Sequence, residues 1–263
     1  MIRKTLAKLL LAFALCFAAA PALASTEEAI GRLSANWAGY VATRGEYTGV
    51  GATWVVPTLA PTSTLMTDVT WVGIGGSKTK DLIQAGTHGV VKDGRVQYWA
   101  WYELLPAYQQ VVPLPVTGGD KISSVISEVA PGLWLVSVSN LTTGAVYSKT
   151  MEYRSKYSSV EWIQEMPVVY GKDGTRLYAP LSEFGAVTFS DAFAIVDGKQ
   201  QTIDQVRARA TSMVSKLNKK VTLATPTELV DDGFSVVRTG AVPTPASQTK
   251  SRAKPWEINW TKK

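Results

Sequence analysis

Three aromatic-rich segments carry the side chains best suited to chemistry. The segment TWVGIGGSKTKDLIQAGT holds Trp71 and Gln84, QYWAWYELLPAY holds Trp101 and Glu103, and YSSVEWIQEMPVVYG holds Glu161. A carboxylate can accept a proton and return it, and a primary amide can donate two hydrogen bonds without titrating. Because charged residues are rarely buried unless they are paired, Glu161 needs a salt-bridge partner, an exposed strand position or an acid–base role.

The rest of the composition narrows the possible chemistry. The 263-residue chain has one histidine, His88, and one cysteine, Cys16. A two-histidine zinc site is therefore impossible, and a Ser-His-Asp triad would have to use His88. The stretch QAGTHGVVKDG reads as a strand end that runs into a turn, so we interpret His88 as a surface loop residue. We expect no metal and no cofactor, and we look for chemistry in carboxylates, amides, hydroxyls and aromatic rings.

The N-terminus has the pattern of a secretory signal peptide of a bacterial type. Three basic residues, Arg3, Lys4 and Lys8, precede a short apolar run, and residues 22–24 offer small side chains for cleavage after Ala24. The apolar run is short for a membrane span. Cleavage removes Cys16, and it lowers the formal net charge from +6 to +3 because three basic and no acidic residues are lost. We expect a secreted or periplasmic protein.

The mature chain shows no charge pattern that points to a large polyanionic partner. Its remaining basic residues are spread out, apart from KSRAKPW near the end, so we predict no nucleic-acid binding. We also expect no membrane association after signal cleavage, and we expect a monomer. Without cysteine the mature chain has no disulfides, so a sizeable core must stabilise it.

From residue 36 onward the chain reads as a series of short strands. Runs rich in β-branched and aromatic residues are separated by Gly, Pro, Asn and Asp, and KDG at 92–94 and NLTTG at 140–144 are typical of hairpin turns. Such spacing predicts an all-β sandwich or barrel. The domain would span residues 36–240, after a short N-terminal segment at 25–35.

Two segments depart from the strand pattern. Apolar residues in IDQVRARATSMVSKLNKK, residues 203–220, recur near helical spacing, so we predict one short helix there, and at most this one helix in the fold, although an edge strand after a helix also fits. The last stretch, residues 241–263, is rich in Pro, Ser, Thr and Lys without apolar periodicity. We expect it to be a flexible tail.

Strand alternation would bring the candidate side chains onto common faces. In a strand, Trp99, Trp101 and Glu103 share one face, and so do Glu161 and Glu165. A sheet face with Trp and Glu is a plausible cleft floor, but an amphipathic outer face of a sandwich fits the same pattern. The alternation alone does not decide between them.

Seven segments, in chain order, resemble the glutamic peptidases, the eqolisin or G1 family of acid endopeptidases that includes scytalidoglutamic peptidase. They are NWAGYV (36–41), TWVGIGG (70–76), IQAG (83–86), AWYELLP (100–106), SNLTTG (139–144), VEWIQE (160–165) and FGAVTF (184–189). Together they span most of the mature chain, and several contain tryptophan. With its bacterial type of signal, the chain is identified as a bacterial member of that family.

The resemblance implies a fold and a set of site residues. The fold would be an antiparallel β-sandwich of two packed sheets, of the concanavalin or jelly-roll type. Glu161 would be the general base and then the acid, Gln84 would stabilise the oxyanion, and Trp71, Trp101 and Glu103 would line a cleft for protein or peptide substrates. The resemblance assigns no role to Glu165, which we take as a comparison residue.

The resemblance has departures, and the residues alone leave two other functions open. Gly75 stands where the family has an aspartate, and Leu104 and Leu105 replace an aromatic pair, so substrate specificity should differ.

Without the resemblance, Glu103 and Glu161 could serve a glycoside hydrolase, which uses two carboxyl groups. Trp71 and Trp101 could equally serve as stacking surfaces of a carbohydrate-binding or lectin-like sandwich. Only the peptidase needs an amide at Gln84.

Overall fold

The computed structural model describes residues 31–170 and 174–239. The predicted signal peptide, residues 1–24, and the predicted tail, residues 241–263, lie outside the described residues and stay predictions. The described residues belong to one compact unit. Throughout these two ranges the regular structure consists of strands, without a helix.

The strands follow the runs of β-branched and aromatic residues. In chain order they are β1 (Arg32–Ser34), β2 (Trp37–Ala42), β3 (Tyr47–Val55), β4 (Met66–Gly75), β5 (Leu82–Lys92), β6 (Arg95–Leu104), β7 (Gln110–Val111), β8 (Lys121–Ala130), β9 (Leu133–Asn140), β10 (Ala145–Glu152), β11 (Val160–Glu165), β12 (Val168–Tyr170), β13 (Arg176–Tyr178), β14 (Ala186–Val196), β15 (Lys199–Thr202), β16 (Arg209–Val214), β17 (Thr222–Pro226) and β18 (Phe234–Arg238).

One long folded sheet contains sixteen of these strands. Its order is β10-β9-β8-β3-β14-β18-β17-β16-β2-β11-β4-β5-β6-β7, with β1 beside β16 and β15 beside β14. Every strand pair is antiparallel except β1 with β16. The sheet folds over so that β3, β8 and β14 pack against β4, β5 and β11, which gives the predicted β-sandwich. The strands β12 and β13 form a separate hairpin.

Two apolar clusters lie on opposite faces of the β11-β4-β5 layer. The larger one fills the sandwich and includes Val72, Ile83 and Trp162. The smaller one covers the other face and comprises Val41, Val69, Trp71, Leu82, Trp101 and Ile163. Side chains alternate along each strand, and because each face of this layer carries an apolar cluster, its strands are buried almost throughout.

The predicted helix within residues 203–220 is wrong. The chain turns at 203–207 and then forms β16, which pairs with β1, β2 and β17. Pairing with several strands outweighs a weak helical periodicity, and Thr, Ser and Val in RATSMV suit a strand. Nowhere in the described part of the chain does a helix have the length and hydrophobicity needed to span a bilayer.

The interpretation of His88 as a surface loop residue is also wrong. His88 is 3% exposed and lies in the middle of β5, which continues to Lys92 before the turn. The glycines around it do not mark a turn. A Cβ at Gly89 would lie 2.9 Å from Cδ1 of Leu59 and 3.0 Å from Cε1 of Tyr98, so this glycine makes room for large neighbours.

Candidate active site

Four consecutive strands bring the predicted catalytic pair into one row. Glu161 of β11 lies opposite Gly73 of β4, Gly73 lies opposite Gln84 of β5, and Gln84 lies opposite Glu103 of β6. Residues directly opposite one another point to the same sheet face. Since neighbouring strands are about 4.8 Å apart, the backbones of Glu161 and Gln84 are about 10 Å apart, and the residue between them in the row has no side chain.

Glu161 is fully buried, and neither of its carboxylate oxygens has a hydrogen-bond partner within residues 31–170 and 174–239. Burial raises the pKa of this carboxyl well above its usual value, and the negative charge of Asp81 raises it further. Glu161 is therefore neither an exposed strand residue nor half of an ion pair. Its buried, unpaired carboxyl is suited to binding and releasing a proton.

The amide of Gln84 has a fixed orientation. Its Nε2 donates a hydrogen bond of 2.7 Å to Oε2 of Glu103, and its Oε1 is buried without a hydrogen-bond partner in the described part of the chain. A carboxylate only accepts, so Glu103 selects the nitrogen end of the amide. The second N–H of Nε2 is left for another acceptor on the same face.

Trp71 and Trp101 lie on the same face, one row along the strands from the Glu161–Gln84 row. They flank Gly86, which is opposite both of them. A Cβ at Gly86 would lie 2.7 Å from Cβ of Trp71 and 2.0 Å from the carbonyl oxygen of Thr70, so only glycine fits. Both tryptophans are buried, with exposures of 0% and 3%. The five predicted site residues thus gather on one face of the sheet.

Glu165 makes hydrogen bonds with other residues on this face that the sequence did not predict. Its Oε2 accepts a 2.8 Å hydrogen bond from the indole Nε1 of Trp71, and its Oε1 accepts one of 2.8 Å from Nδ2 of Asn36. The ring of Trp37 packs edge-on against Trp71 at 5.1 Å. Burial raises the pKa of Glu165 to about 7. Strand alternation had placed Glu165 on the face of Glu161, and NWAGYV was among the matched segments, but neither signal indicated these contacts.

His88 lies two rows from Gln84 on the same face. It is opposite Val69 and Trp99, and its ring is 4.3 Å from that of Trp99. Burial lowers the pKa of His88 to about 3, so the imidazole stays neutral through most of the acid range. This histidine therefore contributes shape rather than charge.

The backbone at Gly75 cannot hold the aspartate of the resembling family. Its φ is +95°, and a Cβ there would lie 2.3 Å from the carbonyl oxygen of Asp81. The nearby carboxylate is that of Asp81, whose Oδ2 accepts a 2.7 Å hydrogen bond from the amide of Lys156, in the segment that leads to β11. Among the described side chains, no three His, Cys, Asp or Glu residues converge as metal ligands would.

The architecture is that of solved glutamic peptidases. Scytalidoglutamic peptidase, solved with a peptide-based transition-state analogue, is 23% identical with a TM-score of 0.69, over 78% of this chain and 99% of that chain. SCP-B, an eqolisin solved with the tripeptide Ala-Ile-His, has the same identity and coverage and a TM-score of 0.67. Aspergilloglutamic peptidase from Aspergillus niger is 26% identical with a TM-score of 0.56, over 66% of this chain and 99% of that chain.

The sequence itself matches the model of the Peptidase A4 family over residues 35–238. The chain therefore belongs to that family and is a glutamic-type endopeptidase. Comparison with curated protein sequences finds no significant match. Family membership decides against the glycoside hydrolase and the carbohydrate-binding sandwich, which the residues alone had left open.

Proposed function

We propose that the mature protein is a secreted acid endopeptidase in which Glu161 is the general base and acid and Gln84 stabilises the oxyanion. The observation that carries this proposal is the row Glu161–Gly73–Gln84, which places a buried carboxyl and an oriented amide on one face of the sheet with only a glycine between them. A peptide carbonyl and a water molecule bound between the two groups would meet both of them. Protein or peptide substrates follow from the family.

The proposed reaction uses only these two side chains and water. The carboxylate of Glu161 takes a proton from the water as its oxygen attacks the peptide carbonyl carbon. The carbonyl oxygen becomes an oxyanion, and the free N–H of Gln84 donates a hydrogen bond to it. Protonated Glu161 then gives its proton to the peptide nitrogen, and the C–N bond breaks. An amine and a carboxylic acid are released, and Glu161 is again a carboxylate.

The burial of Glu161 suits this double role. A group acts best as base and acid when its pKa is near the working pH. Burial raises the pKa of Glu161, so the protonated form persists to a higher pH than for an exposed glutamate. The signal-peptide pattern of residues 1–24 supports export, and the short apolar run there supports cleavage rather than anchoring.

The proposal is tested by assaying casein and a quenched peptide library between about pH 2 and 8, which covers the range where ordinary glutamates titrate and the higher range to which burial shifts Glu161. Wild type should cleave both, and pepstatin should inhibit poorly because no aspartate dyad is involved. Gln84→Ala should lower kcat by about 10²–10³-fold, the usual cost of one oxyanion donor. Gln97→Ala, at the exposed start of β6 and six residues before Glu103, is the control and should be unaffected. A wild type that cleaves nothing, or a fully active Gln84→Ala, would overturn the proposal.

A further inference from the structure

The indole of Trp71 is held in place by two neighbours. Glu165 accepts a hydrogen bond of 2.8 Å from its N–H, and Trp37 packs edge-on against it. Glu165 is fixed in turn by the 2.8 Å hydrogen bond from Asn36. Each oxygen of the Glu165 carboxylate thus accepts one hydrogen bond, Oε2 from Trp71 and Oε1 from Asn36.

The other end of the same indole reaches the reacting row. A Cβ at Gly73 would lie 2.9 Å from Cζ3 of Trp71, so the six-membered ring fills the side-chain space of Gly73. Gly73 is the residue between Glu161 and Gln84. The ring of Trp71 therefore forms the floor of the space between the carboxyl and the amide, and its position sets the shape of that space.

We propose that Glu165 is a positioning residue, which holds the Trp71 indole along β4 and so keeps the space between Glu161 and Gln84 in its reactive geometry. This inference rests on the proposed function of that pair. Glu165 itself does not touch the reacting atoms. Its effect passes through the indole N–H, one row along the strands from the Glu161–Gln84 row.

A glutamate suits this role because it satisfies two donors at once. Leucine at this position would leave the N–H of buried Trp71 without its acceptor and would remove the acceptor of half-buried Asn36, and the ring would be free to tilt. Glutamine keeps one carbonyl oxygen for the Trp71 N–H. The conservative change should therefore preserve the position of the indole, and the apolar change should not.

A purely structural role for Glu165 would lower stability without altering the reaction. The chain offers a matched control for that case in Asp68 of β4, a buried carboxyl on the opposite face of the same two strands. It accepts hydrogen bonds from Gln164 at 3.0 Å and Ser182 at 3.2 Å, and burial raises its pKa to about 7. Asp68→Asn changes a buried carboxyl in the same layer without touching Trp71.

The test compares Glu165→Leu, Glu165→Gln, Trp71→Phe and Asp68→Asn by kcat, KM, pH–rate profile and unfolding temperature. We expect Glu165→Leu to lower kcat by about 10- to 100-fold through misplacement of the reacting groups, with a smaller change in KM. Because a tilted ring admits water to Glu161, the limb of the profile that reports Glu161 should move to lower pH. Glu165→Gln should stay close to wild type, and Asp68→Asn should keep the wild-type kcat and profile.

Trp71→Phe keeps an aromatic ring and removes the N–H, so it should shift the pH–rate profile in the same way as Glu165→Leu. If Glu165→Leu does not fold, Trp71→Phe provides the test. Adding Glu165→Leu to Trp71→Phe should cost little more kcat, because both remove the same hydrogen bond. The inference is wrong if Glu165→Leu and Trp71→Phe keep the wild-type kcat and profile while Glu161→Gln is inactive. It is also wrong if Asp68→Asn loses kcat as much as Glu165→Leu. If Glu161→Gln is as active as wild type, the proposed function fails instead.

Discussion

Glu161 of β11 and Gln84 of β5 lie on the same face of the sheet, and Gly73 of β4 alone separates them. The two residues are 77 positions apart in sequence (161 − 84), and antiparallel pairing with a single intervening strand brings them together. The glycine adds no side chain, so the carboxyl and the amide face a common space. The three predictions that follow, and the final measurement, depend on this row and on the buried carboxyls around it.

The glycine between the pair should be essential for turnover. In Gly73→Ala the new methyl group would lie 2.9 Å from Cζ3 of Trp71 and 3.1 Å from Cδ1 of Leu82, so the indole has to move. We expect kcat to fall by about tenfold or more through misplacement of the reacting groups, with a stability loss of about 1–3 kcal/mol from overpacking. Steady-state kinetics and urea unfolding measure the two effects.

Gly144→Ala is the control for this prediction. Gly144 lies in the β9–β10 turn with φ of +78°, and a Cβ there would meet no atom within 4 Å. The substitution strains the backbone by about 1–3 kcal/mol far from the row. Its kcat should equal that of wild type. A Gly73→Ala variant with the wild-type kcat would show that the space above Gly73 is not used.

Glu103 should act through the orientation of Gln84. Glu103→Ala removes the acceptor of the 2.7 Å hydrogen bond, so the amide can rotate and present its oxygen to the reaction. We expect kcat to fall by about 10- to 100-fold, in line with the roughly 1.5–3 kcal/mol of a hydrogen bond to a charged group. Glu103→Gln keeps a carbonyl acceptor and should recover much of the loss. Glu152→Ala, at the exposed end of β10, should have no effect; equal activity in Glu103→Ala and wild type would contradict this role.

The protein should be more stable in mild acid than at neutral pH. Burial raises the pKa values of Asp68 and Glu165 to about 7 from ordinary values of 3.8 and 4.5, and it also raises that of Glu161. The folded state therefore binds protons that the unfolded chain has released, so the free energy of unfolding falls as pH rises from about 4 towards 7. Each pKa unit is worth about 1.4 kcal/mol.

Unfolding in urea at pH 4.5 and pH 7.5 measures this dependence. Asp68→Asn cannot titrate at position 68, so its unfolding free energy should change less between the two pH values than that of wild type. The pKa values of Asp81 and Asp120 are lowered in the folded state, so these two residues change the unfolding free energy only below about pH 4, outside this window. A wild type that is equally stable, or more stable, at pH 7.5 would contradict the buried-carboxyl account.

Local patterns in the sequence were enough to predict the strands around the site and the faces of their side chains. Alternation in VEWIQE and QYWAWYE placed Glu161 with Glu165 and Trp101 with Glu103, and the structure confirms both faces. The hairpin turns at 92–94 and 140–144 are confirmed as well. These features depend on neighbouring residues, which is why periodicity and turn residues reveal them.

Contacts between distant segments could not be predicted in the same way. The hydrogen bond from Asn36 to Glu165 joins residues 129 positions apart, and it depends on the pairing of β2 with β11. The burial of His88 depends on packing across three strands, and glycines that looked like turn signals proved to accommodate aromatic rings. Pairing between distant strands likewise made β16 a strand against its weak helical pattern.

The most direct test of the central claim is the kcat/KM of Glu161→Gln on a quenched peptide in acid. The change is isosteric and imitates the protonated carboxyl, so the fold should be preserved, as circular dichroism can verify. Removing the general base should lower kcat/KM by about 10²–10⁴-fold, while Glu165→Gln, four residues further along the same strand, stays close to wild type. A Glu161→Gln enzyme with the wild-type kcat/KM would contradict the account.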